Sequence, residues 1–210
     1  MESNSAGRGR TARSGSSGPG QRSNRKADRV KRSILEAATE VLVENRGASM
    51  QEIADAAEVG RTTVHRYFPG REDLIRAVAL QAVAESEAAI EAARLGEGPV
   101  EHAVRRLAEA LVPMGHRFHF LLDEAQLLSD PEYRATEQRF VKPLEKLAER
   151  GRHEGVFRAE VPVAWIVDTT GALVFAAWEG IRDGRIAALD APNLVATTLL
   201  SGVGVPPDQE

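Results

Sequence analysis

Apolar residues in this chain recur at helical spacing almost from front to back. Val30, Ile34, Ala37, Ala38, Val41 and Leu42 form one stripe, and Arg46-Gly47 closes the helix that carries it. Ser49-Met50-Gln51-Glu52 has the residues of a capping box and opens a short helix with Ile53, Ala54 and Ala57 inward. A third helix is predicted from about Arg61 to Phe68, with Val59, Val64 and Phe68 facing the core. Pro69-Gly70 breaks the chain, and Arg71-Glu72-Asp73 starts a long fourth helix with Leu74, Ile75, Val78 and Ala82 on its apolar side.

The rest of the chain has the same period. Val100, Val104, Leu107, Ala108 and Leu111 make an amphipathic stripe that stops near Pro113. Helices are predicted over residues 116–128, from Asp130-Pro131 to Gly155 with a kink at Pro143, from Pro162 to Gly180, and from Pro192 to Val203. No strand pattern and no internal repeat occur, so the fold class is all-α. Residues 1–28 are rich in Gly, Ser and Arg without an apolar period and are expected to be a disordered basic arm. Three parts follow: the arm at 1–28, a three-helix unit at 29–75 and a larger helical unit at 76–210.

Charge sharpens that division. The overall charge of −4 comes from a front segment, 1–28, with six Lys/Arg against two acids, and a rear segment, 81–210, with thirteen against twenty-one. Residues 29–80 carry eight of each. The positive excess sits wholly at the front, as expected if only that end meets phosphates. The chain has no cysteine, which excludes disulfides, thiol catalysis and thiolate metal sites and fits a cytoplasmic location. It has no apolar run long enough for a membrane span and no secretory leader pattern.

Residues 49–68 have the build of a helix-turn-helix: capped helix, Ala57-Glu58-Val59-Gly60 turn, then Arg61-Thr62-Thr63-Val64-His65-Arg66-Tyr67. Arg61 could pair with guanine edges, and Thr62 or Thr63 could touch a thymine methyl or a phosphate. His65, Tyr67 and Arg71 are candidates for the DNA backbone. The stretch from Ile53-Ala54 through Val59-Gly60-Arg61-Thr62-Thr63-Val64-His65-Arg66-Tyr67-Phe68-Pro69-Gly70-Arg71-Glu72-Asp73-Leu74 resembles the signature of the TetR family of regulators. The resemblance covers about residues 30–80. It implies a DNA-binding unit of three helices, a connecting fourth helix, and a helical remainder that holds a ligand and forms a dimer. It places Gln51, Arg61, Thr62 and Thr63 at base-contacting positions, and His65, Tyr67 and Arg71 at phosphate-contacting ones. Two departures stand out: Glu58 and Gly60 occupy positions where the family commonly has Gly and a Ser or Thr cap. His65 replaces a frequent Tyr. The basic arm, with Arg22, Arg25 and Lys26, could enter a minor groove or remain a solvated tail.

In residues 76–210 the few large aromatics cluster. Phe118, Phe120, Leu121, Phe140, Trp165, Phe175 and Trp178 could line an apolar cavity, with His119, Asp123, Gln126 and Asp168 as polar groups, or could be ordinary core and surface. His116, His119 and Asp123 share a helix face, but with no fourth ligand the expectation is no metal and no cofactor. The resemblance implies a homodimer through the helices at about 162–180 and 192–203, where Gly171, Ala172, Ala176 and Ala177 permit close approach. The expected function is a ligand-responsive regulator, a repressor that binds a roughly palindromic operator in double-stranded DNA and is released by a small-molecule inducer. Activation, and one dimer or two per operator, stay open. An enzyme is disfavoured because no nucleophile-elbow, phosphate-loop or dinucleotide signature occurs. A helical interaction protein that has lost DNA binding is disfavoured by Arg61 and Arg71.

Overall fold

A helix whose buried face repeats every three to four residues must find a partner for that face, and here two separate cores supply it. The computed structural model describes residues 19–115, 117 and 127–204. Its helices are α1 (Pro19–Glu44), α2 (Met50–Ala56), α3 (Arg61–Tyr67), α4 (Arg71–Ala92), α5 (Val100–Leu111), α6 (Pro131–His153), α7 (Val163–Arg182) and α8 (Ala191–Val203). Short 3-10 turns occupy Val112–Met114 and Leu127–Ser129. Among the described residues there is no strand, only an isolated antiparallel bridge between Phe157 and Gly204. No described helix is long and apolar enough to cross a membrane.

One boundary differs from the sequence reading. Residues 19–28, expected to be disordered, are the first turns of α1. Proline suits the first position of a helix, and no Gly or Pro interrupts the run from Gln21 to Val30. Once the core-facing turns from Val30 onward are fixed, extending the helix outward adds one hydrogen bond per residue without a new nucleation cost. Residues 1–18 of the expected arm and the helix expected at 116–128 lie largely outside the described residues.

The front core is built from Ile34, Leu42, Ile53, Val64, Leu74 and Val78, all essentially without solvent contact. The rear core gathers Val100, Val104 and Leu107 of α5, Leu144 and Leu147 of α6, Ile166 and Val174 of α7, and Leu199 of α8 around Phe157. Phe157 lies flat on α6 because residue 151 is glycine: a Cβ there would stand 2.3 Å from the ring. The chain reaches that position through Gly155, whose φ of +74° favours a residue without a Cβ.

The front core does not stop at residue 75. Val78, Ala79 and Val83 of α4 belong to it, while Ile90 of the same helix belongs to the rear core. Helix α6 repeats the pattern, with Tyr133 in front and Leu144, Leu147 and Ala148 behind. The two helices run alongside each other in the same direction. Arg76 of α4 pairs with Asp130 and Glu132 at the start of α6. Further along, Glu87 lies 3.6 Å from Arg139, and Arg150 Nη1 donates to the carbonyl of Gly96 at 2.8 Å. Two struts therefore join the front unit to the rear one.

Asp130 does two jobs at the near end of this pair. Its Oδ1 accepts the backbone N–H groups of Glu132 and Tyr133 at 2.9 and 3.0 Å, capping α6, while Oδ2 accepts from the Arg76 guanidinium. Arg76 first, and the cap hydrogen bonds with it, hold the Asp130 carboxyl below its usual range. A depressed folded-state value means that the stabilisation is present at neutral pH and lost as pH falls below about 4. Asp130→Asn is expected to lower the melting temperature at pH 7. The gap to the wild type should shrink steadily in melts run towards pH 3, and a gap independent of pH would show that the charge contributes nothing.

Candidate nucleic-acid interface

The geometry of residues 49–70 begins with a cap. Ser49 Oγ accepts the Glu52 N–H at 3.2 Å, and Glu52 Oε2 accepts the Ser49 N–H at 2.7 Å, the capping box read from the sequence. The Ser49 hydrogen bonds hold the Glu52 carboxyl below its ordinary range. The turn after α2 is closed by Glu58 N–H to Asp55 O at 3.1 Å and Val59 N–H to Ala54 O at 3.0 Å. Glu58 takes a φ of +54°, a conformation that a β-carbon opposes. Gly60 caps α3 with backbone alone: its carbonyl accepts from Thr63 at 2.8 Å and Val64 at 3.2 Å.

Val64 and Phe68 anchor α3 in the front core. Helical spacing then turns Arg61, Thr62 and Arg66 to solvent and leaves Thr63, His65 and Tyr67 half-buried at the edges. Gln51 is exposed on α2, with its amide donating to Asp55 Oδ1 at 2.7 Å. The structure thus brings Arg61, Thr62 and Thr63 together on the outer side of one short helix.

His65 is held at both ring nitrogens. Nδ1 lies 3.2 Å from the Pro69 carbonyl, and Nε2 lies 3.3 Å from Arg61 Nε. A carbonyl can only accept and a guanidinium N–H can only donate, so the proton belongs on Nδ1 and the lone pair on Nε2. Without DNA, His65 orients Arg61 rather than presenting a ring nitrogen outward. Tyr67 packs at the edge of the front core, with the Arg66 guanidinium 5.3 Å from its ring centre.

Arg71 differs from its expected place. Its fork donates to the backbone carbonyls of Arg46 and Ala48, in the turn between α1 and α2. That turn leaves carbonyls which no helix pairs, and a guanidinium at the first position of α4 satisfies two of them. In this structure Arg71 is a brace between turn and connector, not a free arm. Nothing in the local sequence distinguishes the two roles.

Behind this unit, α4 and α6 enclose a cleft of about 550 Å³. Its lining is Glu87, Ile90 and Glu91 of α4, Leu95 and Gly96 of the following turn, and Arg139, Phe140, Pro143, Lys146, Leu147 and Arg150 of α6. Of the pocket residues expected from sequence that fall among the described residues, only Phe140 lines this cleft. Phe118, His119, Phe120, Leu121, Asp123 and Gln126, and with them the His116 cluster, lie outside the described residues. Among the described residues no group of three His, Asp or Glu is placed to hold a metal.

Trp165 and Asp168 are corrections. Trp165 is 61% exposed and Asp168 faces solvent, so neither lines an internal cavity. The inward face of α7 is set by Ile166, Thr170, Val174 and Ala177, and a residue one step before Ile166 is turned about 100° away. Trp178 is buried against Gly115, where a Cβ would come within 2.6 Å of it, and Arg182 covers its ring at 4.9 Å. Half-buried Phe175 packs beside it, with ring centres 5.8 Å apart. Both aromatics are packing groups outside the α4–α6 cleft.

Residues 34–78 match the model of the bacterial regulatory proteins of the tetR family. Over 178 residues the chain is 38% identical to the HTH-type transcriptional repressor LfrR of Mycolicibacterium smegmatis, covering 84% of this chain and 91% of that protein. The chain belongs to the TetR family. It is a DNA-binding transcriptional regulator with an N-terminal helix-turn-helix and a helical C-terminal part. The HTH-type transcriptional regulator NfxB of Pseudomonas aeruginosa is 23% identical over 82% of this chain and 94% of its own. Among solved structures, that of LfrR in complex with proflavine superposes with a TM-score of 0.71 at 36% identity, over 85% of this chain and 99% of that one. The regulator PfmR of Thermus thermophilus gives 0.64 at 26% identity, over 80% and 97%.

Two outcomes test the local geometry. Ring ¹⁵N shifts of His65 are expected to place the proton on Nδ1, and Arg61→Ala to move the Nε2 resonance; an Nε2–H tautomer would contradict the pairing. Glu58→Gly should raise stability by about 0.5–1 kcal/mol in urea melts, because relief of the left-handed strain exceeds the added unfolded-state entropy.

Proposed function

We propose that this regulator is a homodimeric repressor whose two copies of α3 enter successive major grooves of a roughly palindromic operator, and that a small molecule releases it. The observation that carries the reading is the outer side of α3, where Arg61 and Thr62 are exposed and Thr63 sits at the edge, on a helix locked to the core by Val64 and Phe68. A short helix can read base edges only if its own packing faces the other way, and α3 meets that condition. Arg61 reads a guanine edge, Thr62 and Thr63 meet a methyl or a phosphate, and Gln51 contacts a base from α2. Tyr67 and His65 lie nearer the backbone. His65 also sets the direction from which Arg61 approaches.

Dimerisation is supported by an outward face rich in small side chains. Trp165, Gly171, Ala172 and Ala176 of α7 and Leu194, Thr197, Thr198 and Ser201 of α8 all lie at least partly exposed. Small residues allow two helices to pack closely, and Trp165 and Leu194 supply area to bury. Pairing these faces about a twofold axis sets the α3 helices about 34 Å apart, one turn of DNA.

Ligand response is supported by the cleft between the two helices that join the units. An occupant that spreads α4 from α6 changes the tilt of α4 and so the separation of the two α3 helices. It must favour the arrangement that cannot bind DNA, since equal affinity for both shifts nothing. The apolar wall of Ile90, Phe140 and Leu147 suits a flat aromatic ligand such as the proflavine found in the LfrR structure, and the charged rim carries both signs, Glu87 and Glu91 against Arg139, Lys146 and Arg150, with Glu87 already paired to Arg139. The protein acts in the cytoplasm as a binding protein, not an enzyme.

Selection of bound sequences from random duplex DNA is expected to return one palindromic site. Arg61→Ala with Thr63→Ala should abolish that selection, with about 1–3 kcal/mol lost per base contact. Ala172→Glu should sediment as a monomer and lose the palindrome. Sequence-blind binding by the wild type would refute the reading.

A further inference from the structure

The two walls of the α4–α6 cleft carry charges of opposite sign. Glu87 and Glu91 follow one another by a turn on α4, while Arg139, Lys146 and Arg150 lie in line on α6. Three of these five are already engaged. Arg139 Nε stands 3.6 Å from Glu87 Oε1, and its Nη2 donates to Thr136 Oγ1 at 3.3 Å. Arg150 Nη1 donates to the Gly96 carbonyl at 2.8 Å, and its Nε lies 3.8 Å from Glu154 Oε1. Glu91 and Lys146 are left: both line the cleft, both are exposed, and neither has an ion pair among the described residues. Because α4 and α6 run in the same direction, the Glu87–Arg139 and Gly96–Arg150 ties bracket Glu91 on one wall and Lys146 on the other. Between the ties lies an apolar surface of Ile90, Phe140 and Leu147 in a space of about 550 Å³. A Cβ on Gly96 would meet no atom within 4 Å, so the far end is open as well.

We infer that the cleft takes a flat aromatic zwitterion: a cationic group of the ligand meets Glu91, an anionic group meets Lys146, and the ring between them lies on Ile90, Phe140 and Leu147. The inference rests on the cleft being the ligand site and adds the charge pattern of the ligand. A site with apolar walls and few polar groups uses those groups to fix the orientation of what it binds. An aromatic cation answers Glu91 but brings its charge near the Lys146 ammonium, which repels it, and an aromatic anion has the converse fault. A neutral ring covers both charges and answers neither. A ligand with both signs, set apart across the ring, meets each wall with the opposite charge. Glu87 and Arg139 cannot replace the open pair without giving up their own contact.

Three acridines test this by calorimetry near neutral pH, with the full chain and no DNA. They are aminoacridine, a cation; acridine carboxylate, an anion; and aminoacridine carboxylate, which carries both groups on opposite edges of the same ring. The zwitterion is expected to bind about tenfold tighter than either singly charged ring, the effect of one hydrogen bond to a charged group. Glu91→Gln should bring it down to the affinity of the anion, and Lys146→Gln to that of the cation, with melting temperatures unchanged because both side chains are exposed. Exchange of the two charges, Glu91→Lys with Lys146→Glu, should restore the preference, since the ligand can bind turned end for end. Equal affinity for the three rings, each weakened by Phe140→Leu, would overturn the zwitterion and leave the cleft as the ligand site. Binding indifferent to Phe140→Leu, or no binding of any ring, would overturn the cleft as the ligand site and the inference with it.

Discussion

The structure depends on α4 being buried in two cores at once. Leu74, Ile75 and Val78 close the DNA-binding unit, while Ile90 sixteen residues beyond Leu74 belongs to the rear core. A single stiff helix with both ends committed cannot move at one end without disturbing the other. Its ends are held by the same device. Arg71 ties the start of α4 to carbonyls of the α1–α2 turn, and Arg106 of α5 donates to the carbonyls of Ala93, Arg94 and Glu97 just past its end. In both places a guanidinium fork satisfies carbonyls that a helix terminus or turn leaves open.

Helix α6 makes the coupling two-legged. Asp130 caps α6 and grips Arg76, so the register between the two struts is set close to the DNA-binding unit and the cleft opens further away. Under the proposed release by a small molecule, a change in spacing at Glu87 and Arg139 would become a rotation about the Arg76–Asp130 contact. Rotation of α4 reaches α3 through Val64 and Phe68, which pack in the same core as Leu74 and Val78. The front unit is therefore packed as one body around α3 and the start of α4.

The charge asymmetry fits this division of labour. Cations of the rear unit are drawn into pairs with its excess acids, such as Arg139 with Glu87 and Arg117 with Glu85. Arg25, Arg29 and Arg32 at the front of α1 are exposed and have no such partner among the described residues. The protein thus presents one positive end to a polyanion and keeps the other end from competing for it.

Much of this was legible in the sequence. The helical period, the Ser49–Glu52 capping box, the Pro69-Gly70 break and the Asp130-Pro131 start each act through neighbours a few residues away, and each element formed where its own residues required. The outward set on α3 was legible for the same reason: once Val64 and Phe68 face inward, helical geometry decides where Arg61 and Thr62 point. What the sequence left open depended on partners far along the chain. Residues 19–28 have no apolar period, and their helix is propagated from turns that are fixed by packing against α2 and α4. Arg71 has the composition of a phosphate contact, but the open carbonyls of Arg46 and Ala48, more than twenty residues earlier, claim its fork. Trp165 and Trp178 are alike as residues, yet one is 61% exposed and the other is buried beneath Arg182, because only the tertiary packing determines which side of α7 meets the core. Local chemistry specified the elements and the reading face, and long-range contacts decided which polar and aromatic side chains were left free to act.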